Sequence, residues 1–240
     1  VMIAISNENP DQERENILMM EQLRVDGILM SACDKEHNVD LYNKVIGRGI
    51  PIVFFDRTVE KVKASQVHMD DYIMSFFMVE ALLRKGYKHI VHIPGPAYIR
   101  NSYERMRGYR DALDKFHIEY QAKDVLSPAL SAEEGSWVME RFLEKNVPFD
   151  AVFGFTETAV LGAKSAIQKR GLRIPEDVAL CCMSGTALAT LVHPQLTAVE
   201  QPVEKMAMES CRLLLEHLAD GNKKVEEIAL RGEAVIREST

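Results

Sequence analysis

Short apolar runs that alternate with helical patterns are the feature of this chain that most restricts its fold. Near-continuous apolar runs bounded by turn-forming residues are typical of strands in a parallel sheet that is covered on both faces. The predicted strands are Met2–Ile5, Gly27–Met30, Pro51–Phe55, His89–Ile93, Ala151–Gly154 and Val178–Cys182. The predicted helices between and after them are Glu13–Leu23, Met69–Arg84, Tyr103–Phe116, Ala132–Lys145, Thr158–Lys169 and Val203–Leu218.

This order of strands and helices predicts an α/β fold with a doubly wound, parallel architecture. The alternation occurs in two blocks, roughly 1–68 and 69–197, which predicts two similar lobes. The stretch LVHPQLTAVEQP then adds a stiff, extended segment with two prolines before one more long helix begins at Val203.

Composition narrows the function classes. The 240 residues are 47% hydrophobic and 27% charged, which is typical of a globular protein. The net charge of −7 makes this chain by itself a poor DNA binder, because affinity for phosphate requires Lys and Arg. No apolar run approaches the roughly 18 residues of a membrane span, so no membrane partner is predicted.

Motifs for catalysis, cofactors and metals are missing from the sequence. We find no GxGxxG, P-loop, HExxH or GxSxG pattern, and no Ser/His/Asp or Cys/His set, so we predict no enzyme activity and no cofactor. The four cysteines have no metal-binding spacing, and we predict no metal site. Cys181 and Cys182 lie in an apolar run and are predicted to be buried free thiols, which favours a reducing, cytoplasmic location.

Polar residues follow several predicted strands. Asp56 and Arg57 follow one strand, Thr156 follows another, and Ser184 follows a third, while Arg105 lies in the helix after a fourth. Each alone could be a helix N-cap or a solvated charge. Because ligands bind outside the carboxyl ends of parallel strands, the set together predicts a polar small-molecule cleft between the lobes.

Seven segments, in one order along the chain, carry a family resemblance. They are RVDGILM (24–30), GIPIVFFDR (49–57), KGYKHIVHIPGP (85–96), RMRGYRDAL (105–113), the long run from FDAVFGFTET to PEDVAL (149–180), HPQLTAVEQP (193–202) and VIREST (235–240). With them the chain resembles the effector-binding core of the LacI/GalR transcription regulators, which are related to periplasmic sugar-binding proteins. It resembles that core from its second strand onward, so a helix-turn-helix domain is expected upstream.

The resemblance implies a periplasmic binding protein-like fold of type I, with two lobes joined by a hinge of three crossing strands. The expected N-terminal lobe comprises 1–68 and 198–232, and the expected C-terminal lobe comprises 69–197 and 233–240. The late extended segment is then a crossover, after which the last long helix packs on the N-terminal lobe.

The resemblance also implies the ligand contacts. Asp56 and Arg57 match a D-R pair that binds sugar hydroxyls, Arg105 matches the Arg of R-x-x-G, and Gln201 matches a hinge glutamine. Four positions depart from the family pattern in residue type: Thr156 replaces Asn, Ser184 replaces Asp, Met183 replaces Phe and Leu130 replaces a stacking aromatic. Two arginines with one carboxylate fewer predict an anionic sugar derivative, unless Glu157 turns inward.

The predicted function is therefore a non-enzymatic sensor. A sugar or sugar derivative would bind between the lobes, and their closure would alter operator DNA binding by a homodimer. The main alternative is a periplasmic-type sugar-binding protein that serves a transporter. A repressor core that has lost small-molecule sensing is a second alternative, because the departures weaken the predicted contacts.

Overall fold

The computed structural model describes residues 1–221 and 223–240. The α-helices of this part of the chain are α1 (Pro10–Gln22), α2 (Val39–Gly47), α3 (Asp71–Arg84), α4 (Arg100–Lys115), α5 (Ala132–Leu143), α6 (Glu157–Lys169), α7 (Leu188–Leu191) and α8 (Val203–Ala219). The strands are β1 (Ile28–Met30), β2 (Ile52–Phe55), β3 (Ser65–Met69), β4 (Ile90–Ile93), β5 (Ala151–Gly154), β6 (Ala179–Gly185), β7 (Thr197–Glu200), β8 (Glu227–Leu230) and β9 (Glu233–Val235).

The α/β prediction is confirmed, and most of the predicted elements are found within a few residues of their expected ends. The strand predicted at Met2–Ile5 is wrong, because residues 1–6 form no strand. Val1, Ile3 and Ile5 are exposed there, so this segment does not gain the two-sided burial that favours a parallel strand.

The chain divides into two compact units. Unit 1 comprises 1–69, 98–100 and 202–230, and unit 2 comprises 70–97, 101–201 and 231–240. Strand β7 lies wholly in unit 2, so the chain enters unit 1 at Pro202, and the short segment 98–100 belongs to unit 1.

Unit 1 contains a fully parallel sheet with the order β1-β2-β3-β8. Ile17 of α1, Tyr42 of α2 and Phe54 of β2 contribute to its buried core. Helix α8 packs on β1, β2 and β3, as the resemblance implied. Helix α8 approaches the sheet closely at Gly27, where an added Cβ atom would lie 2.7 Å from Leu214 Cδ1 and would push that side chain aside.

Unit 2 contains a sheet with the order β4-β5-β6-β7-β9, in which only β9 runs antiparallel to its neighbour. Its core joins the inward faces of these strands to α5 and α6. The two helices cross at Gly135 and Gly162. A Cβ atom added at either glycine would lie about 2 Å from a backbone oxygen of the facing helix.

The last residues of unit 2 complete its sheet. Strand β9 pairs with β7, and Ser239 then reaches across to β6, where its Oγ donates to the Leu180 carbonyl oxygen at 2.6 Å. The same Oγ accepts a hydrogen bond from the Thr197 backbone N–H at 2.8 Å. The Ser239 hydroxyl group therefore links β6 to β7, although only β7 pairs with β9.

The predicted burial of Cys181 and Cys182 is confirmed, and both are free thiols. Burial raises the pKa of the Cys182 thiol to about 12, so it stays protonated near neutral pH. Within the described ranges, no helix is both long and apolar enough to span a membrane.

Candidate functional site

The carboxyl edge of the unit 2 sheet gathers most of the predicted site residues. Strands β4, β5 and β6 are parallel neighbours, so the segments that follow them leave the sheet at the same edge. Thr156 follows β5, Ser184 is the penultimate residue of β6 and Arg105 lies in α4, the helix that follows β4.

Arg105 is buried, with 3% of its surface exposed. Its Nε donates to Asp71 Oδ1 at 2.7 Å, and its Nη1 donates to the Phe155 carbonyl oxygen at 2.6 Å. The guanidinium carbon also lies 4.2 Å from the centre of the Phe155 ring. The side chain is therefore fixed by a carboxylate, a carbonyl and an aromatic face before any ligand binds.

The R-x-x-G spacing explains how Arg105 reaches Asp71. Gly108 lies one turn beyond Arg105, and a Cβ atom there would lie 2.5 Å from the Tyr72 carbonyl oxygen. The missing side chain lets α4 contact the start of α3, where Asp71 is the first residue. Ser75 Oγ strengthens this contact by donating to the Arg105 carbonyl oxygen at 2.6 Å.

Thr156 caps α6 and also holds the loop before α5. Its Oγ1 accepts from the Ala159 backbone N–H at 3.2 Å and donates to the Leu130 carbonyl oxygen at 3.1 Å. Leu130 therefore takes part through its backbone, while its half-buried side chain occupies the position expected for an aromatic.

Glu157 places a carboxylate at the carboxyl edge of the unit 2 sheet. Its side chain is buried, and its two oxygens accept from the Thr186 backbone N–H at 3.0 Å and from Thr186 Oγ1 at 2.5 Å. Ser184 Oγ accepts from the Glu157 backbone N–H at 3.2 Å. Met183 is fully buried, so a direct ligand contact would require its neighbours to move.

The unit 1 sheet carries its own polar residues at the end of β2. Asp56 has a φ of 57°, in the left-handed region that Asp tolerates better than most residues, and its N–H donates to the Val67 carbonyl oxygen at 2.9 Å. Arg57 Nη1 forms an ion pair with Glu8, and the Arg57 carbonyl oxygen accepts from the Ala32 N–H. Both predicted residues are half-buried.

Gln201 lies on the connection between β7 and α8 and is half-buried. The structure thus groups Arg105, Thr156, Leu130 and Ser184 at one edge, while Asp56 and Arg57 lie at the end of β2. Their contacts with a ligand are predictions from the sequence. Two carboxylates were missed, Asp71 and Glu8, because each is distant in sequence from the arginine that it pairs with.

A buried histidine lies inside unit 2, beneath this edge. The His92 ring lies nearly parallel to the rings of Tyr109 and Phe153, with ring centres 5.2 and 4.8 Å away, and its Nδ1 bonds to the Phe153 carbonyl oxygen at 2.9 Å. Burial lowers the pKa of His92 to about 4, so the ring is neutral at pH 7. The described residues include no group of three or more His, Cys, Asp or Glu that could hold a metal ion.

Several known proteins with related sequences and structures are transcription regulators. The family model for the periplasmic binding protein-like domain matches residues 79–240. The probable HTH-type transcriptional repressor ExuR of Bacillus subtilis is 28% identical over 217 residues, which are 90% of this chain and 65% of the repressor. The chain therefore spans slightly less than two thirds of that relative.

Solved structures agree with this match. The transcriptional regulator CelR in complex with cellobiose has a TM-score of 0.88 and 26% identity, with 96% of this chain and 70% of that chain covered. A sugar-binding regulator of the LacI family from Escherichia coli, in complex with phosphate, has a TM-score of 0.83 and 26% identity, with 100% and 85% covered.

Proposed function

We propose a sensing function for this chain, which belongs to the periplasmic binding protein-like domain family as the effector-binding core of a LacI-type transcription regulator. The proposed effector is a small sugar-like molecule that contacts the polar residues at the carboxyl edges of the two sheets. In the whole protein, its binding would change the affinity of a homodimer for operator DNA through a helix-turn-helix domain.

The fixed geometry of Arg105 carries this proposal. Sugar hydroxyls need donors and acceptors in fixed positions, and a side chain that is ordered before binding loses little conformational entropy when the ligand arrives. Arg105 is held by Asp71 and Phe155, while the hydroxyls of Thr156 and Ser184 lie on adjoining strand ends. The cellobiose bound by CelR and the phosphate bound by the Escherichia coli regulator support a small polar ligand for this fold.

The charges at these edges bear on the kind of sugar. The sequence predicted an anionic effector on the condition that Glu157 did not turn inward. In the structure Glu157 is buried, Arg105 is paired with Asp71 and Arg57 is paired with Glu8. Because both arginines already have carboxylate partners, the proposed effector is a neutral sugar rather than a sugar acid or sugar phosphate.

Isothermal titration calorimetry with paired ligands tests the proposal. Glucose, galactose and cellobiose would be titrated beside glucuronate, galacturonate and glucose 6-phosphate. We expect saturable binding of at least one neutral sugar. Binding confined to the acids would reject the neutral effector, and no binding by any sugar would reject sugar sensing by this chain.

A matched pair of variants locates the binding. Arg105→Lys removes the planar fork and should weaken binding about tenfold or more, since a hydrogen bond to a charged group contributes about 1.5–3 kcal/mol. Arg110→Lys changes an exposed arginine of the same helix, which stacks on Tyr120, and should leave affinity unchanged. Equal effects of the two variants would place the ligand elsewhere.

Small-angle X-ray scattering tests the predicted coupling. If effector binding closes the lobes, the radius of gyration should fall when the effector is added at saturating concentration. Fluorescence anisotropy with operator DNA and the whole protein would then show whether the same effector raises or lowers DNA affinity.

A further inference from the structure

We propose that Asp71 sets the charge selectivity of the effector site, by neutralising Arg105 and so excluding anionic ligands. This inference rests on the proposed function, because it concerns the same site. Asp71 acts as a positioning and selectivity residue, although it belongs to no sequence motif for binding.

The Asp71–Arg105 pair is among the least exposed ion pairs of the described residues. The two side chains have exposed fractions of 4% and 3%, and the Nε–Oδ1 distance is 2.7 Å. Away from water the attraction between opposite charges is screened only weakly, so the pair is much stronger than a surface pair of the same length. An arriving carboxylate or phosphate would have to compete with a partner that is already in place.

The neighbouring charge adds to this effect. Glu157 lies buried at the same sheet edge and is bound by Thr186 rather than by an arginine. Arg105, Asp71 and Glu157 together carry one net negative charge when all three are ionised. An anion is therefore repelled, whereas a neutral polyhydroxyl ligand does not have to displace a charged partner.

Asp71→Asn isolates the charge from the shape. The amide oxygen can still accept the hydrogen bond from Arg105 Nε, but the negative charge is gone. Arg105 then has a positive charge that an anion can neutralise. We expect the ratio of affinities for an acidic and a neutral sugar, such as glucuronate and glucose, to rise about tenfold or more, as for one added charge-assisted hydrogen bond.

Asp70→Asn is the matched control. Asp70 is the adjacent carboxylate and caps α3, where its Oδ1 accepts from the Ile73 backbone N–H at 3.0 Å. Asn is an equally good cap residue, so this variant removes the same formal charge one residue away without loss of the helix end. The ratio of its affinities for an acidic and a neutral sugar should equal that of the wild type.

Inorganic phosphate provides a readout that does not depend on the sugar. In thermal unfolding, the melting temperature of Asp71→Asn should rise with phosphate concentration, compared with the same concentration of chloride. The wild type and Asp70→Asn should show no such gain. A gain in Asp71→Asn without any sugar binding would support the role of Asp71 and reject sugar sensing, so the two proposals can fail separately.

Two results would overturn the inference. One is an unchanged acid-to-neutral ratio in folded Asp71→Asn, and the other is equal phosphate stabilisation of all three proteins. If Asp71→Asn does not fold, Asp71→Ser removes the same charge with a smaller side chain and is judged by the same two measurements.

Discussion

The two sheet edges use the same chemical pair, an arginine and a carboxylate, in different surroundings. In unit 2 the Arg105–Asp71 pair is buried and is also held by the Phe155 carbonyl oxygen. In unit 1 the Arg57–Glu8 pair leaves 21% and 47% of the two side chains exposed. Residue type alone therefore does not show how firmly a binding side chain is held.

This difference separates two roles for the edges. A buried arginine that is held by two hydrogen bonds presents one side-chain geometry and one local charge to a ligand. A half-exposed arginine on a segment without regular structure can change partners at little cost, because water screens and replaces its contacts. We therefore expect unit 2 to provide selectivity and unit 1 to adapt to the ligand.

The largest expected effect comes from breaking the unit 2 pair. Arg105→Met keeps most of the side-chain volume but leaves the Asp71 carboxylate buried without its guanidinium partner. Removal of one partner of a buried pair costs about 3–5 kcal/mol, and urea unfolding at pH 7 should show a loss of that order. The double variant with Asp71→Asn should recover part of it, and a loss below about 1 kcal/mol would show that the pair is not isolated from water.

A smaller effect should appear as a pH dependence of unit 2. The pKa of His92 is about 4 in the folded protein against an ordinary 6.5, because burial disfavours the charged ring. Its stabilising contribution is therefore complete above pH 6.5 and is lost as the pH falls toward 4. The shift corresponds to about 3 kcal/mol, at about 1.4 kcal/mol for each pKa unit.

Urea unfolding between pH 4 and 7 measures this contribution. His92→Gln should flatten the rise of stability with pH, since no ring remains to be protonated. His89→Gln changes an exposed histidine just before the same strand and should keep the wild-type slope. Equal slopes in the two variants would show that His92 does not control the acid sensitivity.

The smallest expected effect belongs to the unit 1 pair. Arg57→Ala, Glu8→Ala and the double variant form a cycle whose coupling energy should be at most about 1 kcal/mol, because exposed ion pairs rarely contribute more. Unfolding in urea at low and high salt measures it. A coupling above about 2 kcal/mol would remove the contrast between the two edges.

Sequence patterns found the buried strands in which apolar residues dominate and missed β3, in which satisfied polar residues outnumber the apolar ones. Strand β3, Ser65–Met69, has a polar residue at three of its five positions. The Gln66 side-chain amide bonds to both the N–H and the carbonyl oxygen of Val59, so its burial is compensated. Such compensation depends on chain segments that a local pattern does not include.

The same reason limits prediction of the site. Arg105 could be placed from R-x-x-G and the strand before it, and Thr156 and Ser184 from the strand ends. The carboxylates that set the local charge could not, because Asp71 precedes Arg105 by 34 residues and Glu8 precedes Arg57 by 49. The predicted anionic ligand depended on those missing partners.

The position of β9 has a consequence for synthesis on the ribosome. Residues 70–97 and 101–201 of unit 2 are translated before α8 and β8, which belong to unit 1. During that interval β7 has an open edge, and the carbonyl of Leu180 lacks the hydroxyl of Ser239. A nascent chain must keep this edge from pairing with other strands until β9 and Ser239 have left the exit tunnel.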